Sequence, residues 1–336
     1  MSYIFLEGFE SDIRPFWRYG GTAFSNNTPG RLVGSAESTN QATAYARIDQ
    51  IQGTLNEGSI GFGILTDSSG PDTWAWVGLG ILNELQLSLR VRKAGSSVFV
   101  QVFRGSPGDV SSLSPEVLLG TTDQWYFVQM HTLLLGAGGS IEVIRNGDVS
   151  EPLIELFNLD ATLLSSPGFN SVHFHTRSTF HFDDLHVWDA ASSGIRYGAE
   201  LALIEREVAA GGDVQQWTPV GGVDAQSVLS DNDESTYLES STTGQVALMN
   251  LDDLGALADV VETVQINAQA RTSELGFRNL RVIAREGGVT ADVEAPRTLA
   301  SSKTLGFRRM LNSRPSGGAW DQASYNDLQI GFEVQQ

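Results

Sequence analysis

The chain contains no cysteine. That excludes disulfides, zinc–thiolate centres and a thiol nucleophile. Lysine occurs only at Lys93 and Lys303, and 21 basic residues stand against 40 acidic ones, a formal charge of −19. A duplex-binding surface needs a basic stripe, and the sequence shows none, so no nucleic-acid partner is expected. Acidity on this scale keeps copies of a protein apart in solution. The competing reading of it is divalent-cation binding. No apolar run approaches the roughly 20 residues of a membrane span, so no membrane insertion is expected. The opening "MSYIFLEGFESDIRPFW" lacks the basic start and long apolar core of a secretion signal. Heptads, short-period repeats, a G-x-S-x-G elbow and a P-loop are all missing from the text.

What is present is a globular balance, with 41% hydrophobic and 18% charged residues, and 36 glycines to supply turns. At 336 residues, two domains are the expectation. Alternation with a period of two dominates. In "ELQLSLRVRK", Leu85, Leu87, Leu89 and Val91 alternate with Glu84, Gln86, Ser88, Arg90 and Arg92, the mark of a half-buried strand. "KAGSS" follows, and "SVFVQVFRG" alternates again, which predicts a hairpin. Asn146-Gly147 is the dipeptide that best accepts the positive φ of a tight hairpin turn. "SIGFGILTD", "TWAWVGLGIL" and "QWYFVQM" predict further strands; the glycines of the first sit in a strand-like run, against phosphate binding. Small residues near 191–195 mark a linker between a domain at 1–190 and one at 196–336. The second contains the strands "ETVQINAQART", "FRNLRVIARE" and "DLQIGFEVQ", with "NLDDLGALADVVE" as a short helix or loop. The expected fold class is all-β, two antiparallel β-sandwich, jelly-roll-like domains in tandem.

The segment 172–189, "VHFHTRSTFHFDDLHVWD", holds four of the five histidines. Val172 and Phe174 share one face, His173 and His175 the other. Phe180 and Phe182 oppose His181 and Asp183. At Asp183-Asp184 the apolar phase changes to Leu185 and Val187, which predicts a bulge or a strand buried on both faces. If 172–189 is a hairpin, a two-residue turn at Arg177-Ser178 keeps the histidines on opposite faces. A three-residue turn brings His173, His175, His181 and Asp183 together as a transition-metal site. Two-residue loops are the commoner form.

Other candidates are these. "DNDEST" at 231–236 lacks the EF-hand ligand pattern; a solvated turn is its default, with a loop calcium site as the other reading. Glu142 and Glu155 are single acids on their strands, and a glycosidase needs two carboxylates on one cleft. Trp74 and Trp76 share a strand face. Exposed, they make a stacking platform for a sugar ring; buried, they are core, the default for large aromatics in a sandwich. Trp17, Trp125, Trp188, Trp217 and Trp320 are assigned to packing.

Residues 1–190 resemble a concanavalin A/laminin-G-like jelly roll through "FLEGFES", "QWYFVQMH", "GGSIEVIRNGDV" and the closing "FHFDDLHVWD". The second half resembles a β-rich module of tailed-phage virion proteins. The carrying segments are "YGAELALIEREVAAGGDVQQWTPVGG", "DNDESTYLESSTTGQVALMNLDDL", "VETVQINAQARTSELGFRNLRVIAREGG" and "GGAWDQASYNDLQIGFEVQ". The resemblance implies a non-enzymatic structural or accessory protein of a phage particle: tail, collar or head decoration. It would be assembled in the host cytoplasm beside other virion proteins, as a homo-oligomer. A carbohydrate-binding adsorption protein that recognises host surface glycans is the alternative, and a polysaccharide depolymerase comes third. No catalytic residue and no cofactor carries over. Laminin-G and lectin relatives often hold calcium at the sandwich rim, but no position here matches their ligands.

Overall fold

The computed structural model describes residues 2–7, 17–21, 25–29, 35–38, 44–48, 54–69, 71–81, 84–106, 112–161, 168–176, 180–189, 204, 206–230, 235–255, 260–272, 278–293, 295–299 and 305–335. The chain divides into two compact units, Met1–Ile204 and Glu205–Gln336. The expected linker at 191–195 lies outside the described residues. Strand pairing is antiparallel in both units, as the all-β expectation requires.

Strands are numbered along the chain. In the first unit, an eight-stranded sheet runs in the order β13 (Ile154–Leu159), β12 (Gly139–Arg145), β11 (Trp125–Leu133), β6 (Glu57–Thr66), β15 (Phe180–Asp189), β4 (Ser35–Ser38), β3 (Ser25–Pro29), with β1 (Ser2–Glu7) also on β15. A seven-stranded sheet runs β10 (Val117–Thr121), β9 (Ser97–Arg104), β8 (Glu84–Ala94), β7 (Thr73–Ile81), β14 (Ser171–Thr176), β5 (Ala44–Ile48), β2 (Trp17–Gly21). Alternate residues of each strand meet between the sheets. Ile60, Phe62 and Ile64 of β6 join Ala75, Val77 and Leu79 of β7, Leu87, Leu89 and Val91 of β8, and Val98, Val100 and Val102 of β9 in one buried cluster. Each of these side chains larger than alanine contributes about 1.5–3 kcal/mol when fully buried. Phe174 of β14 and Phe182 of β15 meet edge to face with ring centroids 5.2 Å apart, so the two strands face each other across the core.

The β8–β9 hairpin forms as expected: Ala94 pairs with Ser97, and Gly95 takes φ +59° in the turn. Asn146 and Gly147 also adopt positive φ, +51° and +72°. They close a turn in which the Asp148 N–H donates to the Arg145 carbonyl at 3.0 Å. The turn does not close a two-residue hairpin, however. The chain runs on before β13 returns, and Ile154 pairs with Val143. The phase change in β15 is a bulge: Asp183 pairs with Gly63 but His186 pairs with Gly61, and Asp184 has φ +48°. The extra residue swings Leu185 and Val187 into the core beside Phe180 and Phe182. Both readings of that strand hold, because Phe180 through Trp188 are also buried on both faces.

In the second unit, the six-stranded sheet contains β16 (Val208–Gln215), β19 (Val246–Leu251), β25 (Gln329–Gln335), β21 (Arg278–Glu286) and β22 (Val289–Asp292), with β23 (Arg297–Leu299) on β21. Two ribbons accompany it, β17 (Thr218–Val220) with β18 (Tyr237–Glu239), and β20 (Val264–Ala270) with β24 (Leu305–Leu311). The helix candidate "NLDDLGALADVVE" begins as β19 strand, and its residues 256–259 lie outside the described set. Two short helices form elsewhere, α1 (Ala225–Leu229) and α2 (Gln322–Asn326). Each starts from an Asp-x-x-Ser box. Asp224 and Asp321 accept the backbone N–H of Ser227 and Ser324, whose side chains return to the cap.

Candidate functional site

On β7, Ala75, Val77 and Leu79 take the core, so Trp74 and Trp76 lie on the outward face of the seven-stranded sheet. They stand outside the inter-sheet cluster, though Trp76 is buried as the default reading has it and Trp74 is half-buried. Trp76 is only 6% exposed, because its neighbours on the same face cover it. Register places it opposite Arg90 of β8 on one side and His175 of β14 on the other, while Trp74 stands opposite Arg92. Directly opposed residues share a face, and their side chains meet. The His175 imidazole stacks on Trp76 (centroids 5.1 Å apart, 9° between planes) and on Trp74 (5.3 Å, 22°).

The aromatic surface continues sideways through the arginines. Arg90 lies over the Phe103 ring at 4.9 Å and Arg92 over Phe99 at 5.1 Å. Glu116, just ahead of β10, holds both. Its carboxylate accepts from Arg92 Nε at 2.7 Å and Nη2 at 2.5 Å, and from Arg90 Nη2 at 3.2 Å. Arg90 Nη2 also donates to Gln101 Oε1. The hydrogen bond from Arg92 holds the Glu116 carboxyl below its usual range, and the same bond raises Arg92. Chemically the face is a set of mutually stacked rings, Trp76 buried and Trp74 and His175 half-buried, bordered by two part-exposed guanidiniums that share one carboxylate.

The four residues proposed as metal ligands do not converge. Both hairpin registers required β14 to pair with β15. Instead β14 pairs with β5 and β7, and β15 with β1, β4 and β6. Because Phe174 and Phe182 face each other through the core, His173 and His175 lie outward on one sheet. His181 and Asp183 lie outward on the other. His173 Nε2 is 2.9 Å from Ser171 Oγ, and His181 Nε2 is 3.1 Å from Asp67 Oδ1. Asp183 accepts the Asp184 N–H at 2.8 Å, inside the bulge. Among the described residues no group of three or more His, Asp or Glu side chains is placed to hold a metal ion. Asp231–Glu234 of the calcium-loop candidate lie outside the described residues.

The outward face of the eight-stranded sheet carries a second polar group that strand-by-strand reading missed. One cross-strand row runs Trp188, Ser59, His131, Glu142, Glu155. Ser59 Oγ lies 2.7 Å from His131 Nδ1, and His131 Nε2 lies 3.7 Å from Glu57. Ser59, Gln129, His131, Glu142, Ile144 and Trp188 line a shallow recess that opens to solvent. Glu142 and Glu155 are opposed here although they stand on different strands, a pairing that only register reveals. His186 stacks on Phe127 and Trp188 with centroids 5.3 and 4.7 Å away. Trp188 is buried and Trp320 donates to the Leu311 carbonyl at 2.8 Å, in keeping with their assignment to packing.

No protein-family model matches the chain. No curated protein matches it either. Solved structures do show similarity. The globular domain of T. cruzi calreticulin is 13% identical, with 56% of this chain and 88% of that domain aligned at a TM-score of 0.41. The CBM2 module of an evolved Dit from Lactobacillus casei BL23 phage J-1 is 9% identical, covering 55% of this chain and 94% of the module at 0.38. The carbohydrate recognition domain of Emp47p is 8% identical, with 55% and 94% covered at 0.39.

Proposed function

We propose that this chain is a non-enzymatic carbohydrate-binding protein, and that the outward face of the seven-stranded sheet receives the glycan. One observation carries the reading: Trp74, Trp76 and His175 stack on the outward face of the sheet, with Trp74 and His175 half-buried beside a buried Trp76. Sugar rings present apolar C–H faces to such surfaces, and hydroxyls find donors and acceptors in Gln101, Arg90 and Arg92 at the border. The test is a glycan array with the intact protein beside Trp74→Ala and Trp76→Ala variants, their folds checked by near-ultraviolet circular dichroism. Glycan binding that both variants lose supports the reading. An array on which the intact protein binds nothing removes it.

A hydrolytic reading has one observation behind it, the Glu142–Glu155 pair. Two features weigh against it. The pair lies on the opposite side of the sandwich from the platform, and only Glu142 of the two borders the recess there, whose interior of about 10 Å³ is far below the roughly 300–1,000 Å³ of ordinary ligand pockets. New reducing ends from a host polysaccharide, lost in Glu142→Gln, would reinstate it. Placement on a tailed-phage particle, beside other virion proteins and in several copies, rests on the resemblance of the segments quoted above. Proteomics of purified particles tests that placement, and absence of the chain from them removes it.

A further inference from the structure

We infer that the glycan taken by this face is anionic, a polysaccharide bearing carboxylates or other acidic groups along its chain. This rests on the platform reading above and goes beyond it. The chain as a whole carries −19, yet the platform is bordered by cations. Arg90 and Arg92 both make their direct ion pairs with the one carboxylate of Glu116, and the Asp72 carboxylate acts on Arg92 only through space. The hydrogen bonds of Arg90 leave from Nη2, and those of Arg92 from Nε and Nη2. An Nη1 amino group therefore remains uncommitted on each. The guanidiniums are already oriented, by Glu116 on one side and by Phe103 and Phe99 beneath them. A fork held in place loses little freedom when it takes a second anion.

That arrangement fits a ligand with an apolar ring face over the indoles and an acidic group over the guanidiniums. A uronate unit has both. Single-stranded nucleic acid also offers rings and anions. It carries a charge at every unit, though, and would meet the field of a strongly acidic protein over its whole length. A polysaccharide whose acidic units are spaced by neutral ones meets less of that field.

The test uses the intact protein on an array printed with matched pairs: uronate polymers and the same polymers as methyl esters, together with a single-stranded oligonucleotide. The expected result is binding to acidic members about tenfold or more above their esters, the factor that one charge-assisted hydrogen bond supplies. The preference should shrink as salt rises. An Arg90→Gln/Arg92→Gln variant, its fold checked by near-ultraviolet circular dichroism, should lose the preference for acid over ester. Glu116→Gln should widen the preference. Equal binding to acid and ester, or a preference for the ester, overturns the inference and leaves the platform reading intact. No binding to any glycan overturns both, and tighter binding to the oligonucleotide overturns the choice of occupant.

Discussion

Gly61 is the position where the account of the first unit can be made to fail most cleanly. It lies on β6 between the core residues Ile60 and Phe62, facing outward beneath the ring that the β15 bulge delivers. A methyl group there would sit 2.4 Å from His186 Nε2 and 2.9 Å from Phe127 Cζ. A carbon and a nitrogen in ordinary contact stand well over 3 Å apart. The imidazole has little room to retreat, since it is 1% exposed and stacked on Phe127 and Trp188. Overpacking of this kind costs about 1–3 kcal/mol. Against it, an alanine restricts the unfolded chain and returns about 0.4–1 kcal/mol. The clash wins, by roughly 1–2 kcal/mol. Urea unfolding followed by tryptophan fluorescence measures this directly. The double variant Gly61→Ala/His186→Ala should lose less than the sum of the single losses, with a coupling of about 0.5 kcal/mol or more. A Gly61→Ala protein as stable as the wild type, or strict additivity with His186→Ala, would refute the placement of that ring and with it the bulge register.

Asn146→Ala should cost about 1–2 kcal/mol in the same unfolding assay, because φ is +51° there and the side chain accepts the Phe127 N–H at 2.9 Å; Asn146→Gly, which removes the strain, should cost less. Asp321→Ala should destabilise the second unit by about 1 kcal/mol through loss of the α2 cap. Glu116 has its folded pKa depressed by its arginine partners, so its contribution is present in full above the ordinary carboxylate range and is lost as pH falls through the depressed value. The stability difference between wild type and Glu116→Gln should accordingly hold near neutral pH and vanish in acid. Burial pushes the Tyr325 phenol up to about 12. In an ultraviolet titration one tyrosine should therefore resist ionisation after the exposed ones have titrated.

Period-two alternation told which face a residue takes, and it did so well. Leu87, Leu89 and Val91 are core, and Arg90 and Arg92 are outward, as "ELQLSLRVRK" requires. The bulge was legible because a change of apolar phase has few other causes. Alternation is silent, however, about which sheet a strand joins. Residues 172–176 and 180–189 are separated by three positions, a gap that suits a hairpin, yet they enter opposite sheets. The metal-site expectation failed on that point alone. The same silence hid the site. Trp76, His175 and Arg90 come from three strands and meet only through register. So do Glu142 and Glu155. The default that large aromatics are buried holds for Trp76, but a strand face alone does not tell that it is buried outside the inter-sheet cluster. The two helices had a signal in plain view, Asp-x-x-Ser at 224–227 and 321–324, but each runs only five residues, too short for an apolar period to show.

The most direct test of the central claim is a structure of the protein with a bound acidic oligosaccharide, by crystallography or by intermolecular nuclear Overhauser contacts. The account predicts a sugar ring packed against the half-buried Trp74 and His175, with its carboxylate toward Arg90 and Arg92. A glycan held by rim loops, or in the recess beside Glu142 and His131, would contradict it.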